Sequence, residues 1–214
     1  MIKCPLPWTG LAVEPDGTVR NCAISSKRIG NLKYSTIESL LNNNINQDIR
    51  NSLANDKWPT ACSQCERVEQ LDPLFSNRAY QLELHDNVDY TGSHQLQQLD
   101  LRWLNTCNYA CVYCGPYFSS QWAKELGEKV NADRENFIKL KDYAFANLHN
   151  LKEVYLAGGE PLLIKENFEL LEKLFEVNPD CLVRITTNVS NLSNKIYEKI
   201  KQFKNVKWEV SVEA

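Results

Sequence analysis

The stretch Cys107-Asn-Tyr-Ala-Cys111-Val-Tyr-Cys114 decides how the rest of this 214-residue chain is interpreted. It follows a predicted strand at 99–104 and opens into Gly115-Pro116. Three thiols spaced by three and then two residues let one tight loop direct three sulfurs at a single cluster, as is typical of iron–sulfur ligation. A four-iron cluster held by three thiolates keeps one iron open to an outside ligand, and an open position marks a catalytic metal.

The alternatives for this loop are a zinc site and three unrelated buried thiols. A structural zinc site takes four ligands. No fourth cysteine or histidine lies nearby, because His94 and His149 are both well outside the loop. The residues therefore favour an iron–sulfur cluster over zinc.

This stretch resembles the hallmark of the radical S-adenosylmethionine (SAM) enzymes, C-x3-C-x2-C with an aromatic residue, here Tyr113, before the last cysteine. The resemblance implies that Cys107, Cys111 and Cys114 hold a 4Fe–4S cluster whose open iron binds the amino and carboxylate groups of SAM. It also implies reductive cleavage of SAM to methionine and a 5′-deoxyadenosyl radical, which abstracts a hydrogen atom from a substrate.

The composition is that of an ordinary globular protein, with 43% hydrophobic and 24% charged residues and a net charge of −3. This charge gives no basic field for nucleic acid. No apolar run approaches membrane-spanning length and no signal-peptide pattern is present, so we expect a cytosolic protein without membrane contact. Eight cysteines in that compartment indicate metal ligands rather than disulfides, with Cys181 left alone as a small core residue.

A second group of cysteines lies in the N-terminal part of the chain. Residues 11–20 are predicted to form a hairpin around Asp16-Gly17, and this hairpin brings its two flanking cysteines together. The other two form a C-x2-C knuckle. Four thiolates make a closed site for zinc or for an auxiliary 4Fe–4S cluster, and the residues alone slightly favour zinc. The four residues are Cys4, Cys22, Cys62 and Cys65.

The order of motifs around these cysteines resembles the auxiliary-cluster modules called twitch or SPASM, which accompany many radical SAM enzymes. The matching motifs include Pro7-Trp8, Pro15-Asp16-Gly17 and Gly30-Asn31-Leu32. The resemblance extends to one group of radical SAM proteins in which the module precedes the core and carries Ser, Arg and Glu where this chain has Ser76, Arg78 and Glu66. It implies one auxiliary cluster and favours iron–sulfur over zinc.

We therefore predict an auxiliary module at 1–83, a polar linker at 84–96 and a radical SAM core at 97–214. The fold class is α/β: a partial (β/α) barrel with a small N-terminal α+β metal-binding module. Alternation of strands and helices implies parallel pairing, with ligands at the carboxyl ends of the strands. The predicted strands are 99–104, 154–157, 182–187 and 207–212, and the predicted helices are 35–43 (capped by Ser35), 48–54, 119–129, 134–148, 165–177 and 193–203.

Three strand ends carry polar motifs. Gly158-Gly159-Glu160-Pro161 resembles the family motif that receives the amino group of SAM. Thr186-Thr187-Asn188 is similar to a family Thr-Asn-Gly in which Val189 replaces the glycine, and Ser211-Val-Glu213 is similar to a Ser-Ile-Asp that contacts the ribose or carboxylate. Polar strand ends without a ligand are the alternative. The resemblance implies that the SAM-binding residues are Tyr113, Gly158, Gly159, Glu160, Asn188, Ser211 and Glu213.

The chain supplies four core strands where the family barrel usually has six. We expect one of two outcomes for the outer edge of strand 207–212. Either the chain self-associates through this edge, or the enzyme has low catalytic activity without a segment that completes the sheet. Enzymes with such modules often modify peptides or proteins, so the expected partners are a peptide or protein substrate and a reductase or other electron donor. The rival hypothesis is a non-catalytic interaction module that binds iron–sulfur or zinc.

Overall fold

The computed structural model describes residues 2–85, 87–128 and 134–212. None of the helices in these ranges is long and apolar enough to cross a bilayer. The strands are β1 (Gly10–Val13), β2 (Thr18–Arg20), β3 (Gly30–Asn31), β4 (Gln98–Leu101), β5 (Glu153–Leu156), β6 (Leu182–Thr187) and β7 (Val206–Val210). The helices are α1 (Leu6–Thr9), α2 (Ile37–Leu41), α3 (Asn44–Ala54), α4 (Ser63–Glu69), α5 (Asn77–Leu84), α6 (Ser120–Leu126), α7 (Arg134–Ala146), α8 (Lys165–Val177) and α9 (Asn194–Ile200).

All seven of these strands belong to one sheet with the order β3-β2-β1-β4-β5-β6-β7. Strands β4 to β7 pair in parallel with their chain neighbours, as the alternation of strands and helices predicts. The hairpin predicted around Asp16-Gly17 is also present, because β1 and β2 pair antiparallel. Parallel strands have their carboxyl ends at the same edge, so the loops after β4, β5, β6 and β7 meet there.

The N-terminal hairpin does not form a separate sheet. Strand β1 pairs in parallel with β4, and Leu11 lies opposite Leu99. The segment predicted as a linker is packed along the N-terminal part, since Gln95 N donates to Trp8 O at 2.9 Å and Gln97 N donates to Thr9 O at 2.8 Å. The predicted boundary at 84–96 therefore joins two parts of one continuous sheet.

Side chains alternate between the two faces of the sheet. Apolar residues of the central strands, such as Leu99, Val154 and Ile185, are fully buried in the main core, which includes residues of α7, α8 and α9. The opposite face carries charged and hydroxyl groups at the alternate positions. We call this surface the inner polar face and define it by Asp100, Arg102, Tyr155, Arg184, Thr186 and Glu209.

Several boundaries differ from those predicted. Strand β4 ends at Leu101 rather than at residue 104, because the chain turns there into the cysteine loop. The cap of α2 is Thr36, not Ser35, since the Thr36 side chain accepts from Ser39 N. Helix α6 is shorter than predicted because Gly127, in the left-handed conformation, ends it. Four short elements were not predicted: α1, β3, α4 and α5.

Strand β7 lies at one end of the sheet and pairs with β6. Trp208 packs against the main core, whereas Val210 and Val212 are 51% and 79% exposed. The expected association of this edge with another chain stays a prediction.

Candidate functional site

The loop with Cys107, Cys111 and Cys114 lies between β4 and α6, and all three thiols belong to partly exposed residues. The first turn of α6 holds the other side of this loop. Ser119 Oγ donates to Tyr109 O at 2.6 Å, and Trp122 Nε1 donates to Cys111 O at 2.8 Å. Two carbonyls of the loop are thus held by the first turn of α6, which fixes the loop against the helix.

The turn after β5 packs directly against the segment that leads into the cysteine loop. Gly158 and Gly159 have φ of +75° and +50°, which glycine adopts without strain. A Cβ at Gly158 would lie 2.7 Å from Arg102 Cβ, and one at Gly159 would lie 2.3 Å from Thr106 O. The two glycines are therefore required for close packing of this turn beside Cys107.

Glu160 is a buried link between strand ends rather than an open carboxylate. It is 1% exposed. Its carboxylate accepts from Leu162 N at 2.9 Å, Thr187 Oγ1 at 2.7 Å and Asn188 N at 2.8 Å. Its own N–H donates to Thr106 O at 2.8 Å. Three donors from the chain leave this carboxylate little capacity for a ligand, so it fixes the ends of β5 and β6 together.

Asn188 connects the end of β6 to the cysteine loop. Its Nδ2 donates to Asn108 Oδ1 at 3.2 Å, and Asn108 Nδ2 donates to Ser190 Oγ at 2.8 Å. The next residue, Val189, has a φ of +58°. This left-handed conformation is where the family motif has glycine, so the departure from the motif puts strain on a β-branched residue.

The other sequence candidates lie further from this junction. Ser211 N donates to Thr187 O at 2.9 Å, which continues the β6–β7 pairing by one residue. Tyr113 is 70% exposed at the tip of the cysteine loop. Glu213 lies outside the described residues. The structure thus brings together the cysteine loop, the Gly158-Gly159 turn and Asn188, with Ser211 at the neighbouring strand end.

The second group of cysteines lines one cavity in the N-terminal part. Cys4 precedes α1, Cys22 follows β2, Cys62 ends a short 3-10 turn and Cys65 lies in α4. Apolar side chains such as Leu53 also line the cavity. The predicted hairpin and C-x2-C knuckle therefore meet as expected.

Burial raises the pKa of all four thiols, and neighbouring thiols contribute to the shifts of Cys4, Cys22 and Cys62; the pKa reaches about 12 for Cys22 and about 11 for Cys62. Metal coordination reverses this effect, because a coordinating thiol is deprotonated. Four thiols that line one cavity suit a cluster with four thiolate ligands.

The inner polar face is held by its own ion pairs. Arg102 contacts Asp100 through Nε at 2.9 Å and Nη2 at 3.2 Å. Arg184 Nε donates to Glu209 at 2.8 Å, and its guanidinium lies 4.2 Å from the centroid of the Tyr155 ring. Burial raises the pKa of Asp100 more than Arg102 lowers it. Burial raises the pKa of Glu209, but hydrogen bonds from Arg184 and Thr186 lower it. The pKa of Glu209 is therefore below its ordinary value.

The sequence did not predict the residues that support the cysteine loop through hydrogen bonds. Ser119, Ser120 and Trp122 hold the loop, and Ser119 is a helix cap whose sequence signal was readable. Thr187 belongs to the predicted polar strand end, but its hydrogen bond to Glu160 is not predicted by that motif. The Asp100–Arg102 pair was readable from charged residues at alternate positions of a strand otherwise rich in leucine.

Two sequence profiles match the chain. The profile of the Radical SAM superfamily matches residues 101–214, and that of the SPASM domain, an iron–sulfur cluster-binding domain, matches residues 4–66. No solved structure gives a significant match. The two profiles show use of SAM and of 4Fe–4S clusters, one of them auxiliary.

Curated relatives match part of the chain. They include the GTP 3′,8-cyclases of Psychromonas ingrahamii (30% identical, over 58% of this chain and 34% of the relative), Nautilia profundicola (33%, over 38% and 24%) and Campylobacter lari (26%, over 42% and 26%). The chain thus spans between a quarter and a third of the length of these relatives. Because the superfamily profile covers more than half of the chain, the protein belongs to the radical SAM superfamily.

Proposed function

We propose that Cys107, Cys111 and Cys114 hold the 4Fe–4S cluster that binds SAM, and that the protein is a radical SAM enzyme. When bound, the cluster and SAM supply a 5′-deoxyadenosyl radical for abstraction of a hydrogen atom from a substrate. The observation that carries the proposal is the meeting of this loop with the Gly158-Gly159 turn and Asn188 at one edge of a parallel sheet.

The chain's own residues have distinct roles in this proposal. Backbone groups of Gly158 and Gly159 receive the amino group of SAM, and close packing of these glycines against Arg102 and Thr106 places them beside the cysteine loop. Glu160 is a positioning residue for that turn, since its carboxylate is filled by three donors of the chain. The other groups of the described residues that contact SAM in this proposal are Tyr113, Asn188 and Ser211.

We propose that the substrate lies against the inner polar face. Arg102 packs beside Gly158 and its guanidinium lies 5.8 Å from the centroid of the Phe118 ring, so this face is close to the proposed SAM site. Paired charges and hydroxyl groups suit a polar substrate with donors and acceptors, and the module supports a peptide or protein by analogy. A nucleoside triphosphate is the second candidate, because the relatives are named GTP 3′,8-cyclases.

The N-terminal cysteines hold the auxiliary cluster in this proposal. Four thiolates close its coordination, so the cluster transfers electrons rather than binding substrate through an open iron. An external reductase or other electron donor completes the set of partners. The rival hypothesis, a cluster-binding module without catalysis, predicts the same iron content and no turnover of SAM.

Anaerobic reconstitution of the full chain with iron and sulfide, followed by SAM and a reductant, tests the proposal. We expect 5′-deoxyadenosine and a change in the EPR spectrum of the reduced protein when SAM is added. The variant Cys111→Ala is the matched control and is expected to abolish both signals. A parent protein loaded with cluster that yields no 5′-deoxyadenosine, with an EPR spectrum unchanged by SAM, would favour the non-catalytic alternative.

A further inference from the structure

The start of α5 lies against the thiols of the N-terminal cavity. Asn77 Nδ2 donates to Cys22 Sγ at 3.5 Å. Burial raises the pKa of the Cys65 thiol, and the backbone of Asn77 and Arg78 opposes that shift. The first two residues of α5 therefore lie against sulfur atoms that belong to the proposed auxiliary site.

A charged pair lies beside the same sulfurs. Arg78 lines the cavity, and its guanidinium donates to Glu69 through Nε at 2.8 Å and Nη2 at 2.5 Å. Its Nη1 donates to Lys3 O at 2.8 Å, and Ser76 Oγ donates to the same Glu69 carboxylate. The side chains of Arg78 and Glu69 are only 18% and 11% exposed, so solvent screens their charges weakly.

These contacts act on the charge state of a cluster held by the four thiols. Reduction adds one negative charge to a buried group, which burial opposes. Hydrogen bonds to the sulfurs, nearby charge and solvent exposure set the reduction potential of such clusters. N–H donors and a guanidinium stabilise the reduced form, whereas a carboxylate destabilises it.

We propose that Asn77, Arg78 and Glu69 set the reduction potential of the auxiliary cluster, with Asn77 and Arg78 raising it and Glu69 lowering it. This inference rests on the proposed assignment of that cluster to the four N-terminal cysteines. In this proposal the three side chains are positioning residues that act on the cluster through the cysteine sulfurs. They are not ligands of its iron. Two opposite shifts then follow from two single substitutions.

Redox titration of the reconstituted full chain, followed by EPR, measures the shifts. Asn77→Ala removes the side-chain donor to Cys22, and we expect the ratio of reduced to oxidised auxiliary cluster at a fixed potential to fall about tenfold, or 59 mV for one electron. Glu69→Gln leaves Arg78 less compensated, and we expect a shift in the opposite direction. Asn55→Ala, on an exposed residue at the end of α3, is the matched control, and the SAM-responsive signal is an internal reference.

The outcomes separate this inference from the assignment on which it rests. Opposite shifts confined to the auxiliary signal support the inference. Variants with full iron content and unchanged potentials, or shifts in the same direction, overturn it while the cluster assignment stands. A parent protein whose iron equals one cluster overturns both. If Asn77→Ala fails to bind iron, Asn77→Leu, which also lacks the donor to Cys22, provides the same comparison with Glu69→Gln.

Discussion

The hydroxyl group of Tyr117 donates a 2.7 Å hydrogen bond to Oε2 of Glu14, which joins the segment after the cysteine loop to the N-terminal hairpin. Arg20 Nε binds the other oxygen of the same carboxylate at 2.8 Å. Burial and the Glu14 carboxylate both raise the pKa of Tyr117, so its hydroxyl stays protonated and remains a donor. The segment after the cysteine loop and the N-terminal hairpin are thereby joined by a contact between side chains as well as through the sheet.

Loss of this contact should weaken the cysteine loop. We expect Tyr117→Phe to lower the free energy of unfolding by about 2 kcal/mol and to reduce SAM affinity, because one hydrogen bond to a charged group is lost. Chemical denaturation and SAM titration measure the two effects. Tyr34→Phe, on a residue that is 79% exposed, is the control and should change neither. Equal behaviour of the two variants would contradict a role for the Tyr117–Glu14 contact.

We expect Glu160 to stabilise the protein through its hydrogen bonds, and not to bind a ligand through its charge. Glu160→Gln replaces one accepting oxygen by a donor group that faces Asn188 N or Leu162 N, and we expect a loss of about 2 kcal/mol in stability. Thr187→Val removes one donor to Glu160 and also the acceptor for Val189 N, so we expect a loss of about 1–2 kcal/mol. Glu176→Gln, at an exposed residue of α8, controls for loss of charge. A stable Glu160→Gln protein that fails only to bind SAM would instead indicate direct contact with SAM.

Val189 offers a substitution that should stabilise the protein. A β-branched residue at a φ of +58° costs about 1–2 kcal/mol in strain. Glycine removes the strain and adds about 0.5–1 kcal/mol of backbone entropy cost, so Val189→Gly should raise stability by up to about 1 kcal/mol. Thermal unfolding detects this change. Val177→Gly, at the end of α8, should act in the opposite direction, and a destabilised Val189→Gly protein would contradict the strain argument.

His94 should make stability depend on pH. Burial lowers the pKa of His94 from its ordinary value to about 4, although the contact of Nε2 with Gly10 O opposes the shift. Between pH 6.5 and 4 the unfolded chain binds more protons, so stability falls as pH falls. From pH 7.5 to 5.5 we expect a loss of about 1 kcal/mol that is absent in His94→Gln. Urea denaturation at the two pH values, with cluster absorbance monitored, measures it.

The N-terminal cysteines should bind iron as a unit. We expect Cys62→Ala combined with Cys65→Ala to remove one cluster's worth of iron and to loosen the N-terminal part, because metal binding is coupled to folding there. Iron assay and limited proteolysis are the measurements. Cys181→Ala, at a buried cysteine outside both groups, should keep its iron. Unchanged iron in the double variant would place the auxiliary cluster elsewhere.

The sequence predicted the parts of the fold that depend on local pattern. Strands β4 to β7 alternate with helices, which predicts their parallel pairing. The Asp-Gly turn likewise predicts the N-terminal hairpin. The pairing of β1 with β4 was not readable, because it depends on a contact between distant residues such as Leu11 and Leu99. The short helices α4 and α5 were missed because they are ordered by the cysteine cavity and by Glu153, to which Tyr80 donates at 2.9 Å, rather than by strong apolar periodicity.

The grouping of the four N-terminal cysteines around one cavity was likewise predictable from their spacing. The hydrogen bonds of Glu160 were not predictable in this way. The resemblance implies that Glu160 binds SAM, whereas its carboxylate accepts hydrogen bonds from Leu162, Thr187 and Asn188. Two of those donors lie almost thirty residues further along the chain. A single sequence carries no signal for such a closed network.

The parallel pairing of β1 with β4 also constrains how the chain folds during synthesis. Strand β1 leaves the ribosome about 90 residues before its partner, and contacts of such separation form slowly. Its edge is open until β4 arrives, and an open edge invites pairing with other chains. All four N-terminal cysteines precede β4, so iron delivered early could order the hairpin before its partner strand exists. The supply of iron and sulfide during translation is then expected to govern the yield of native protein, which expression with and without iron starvation would reveal.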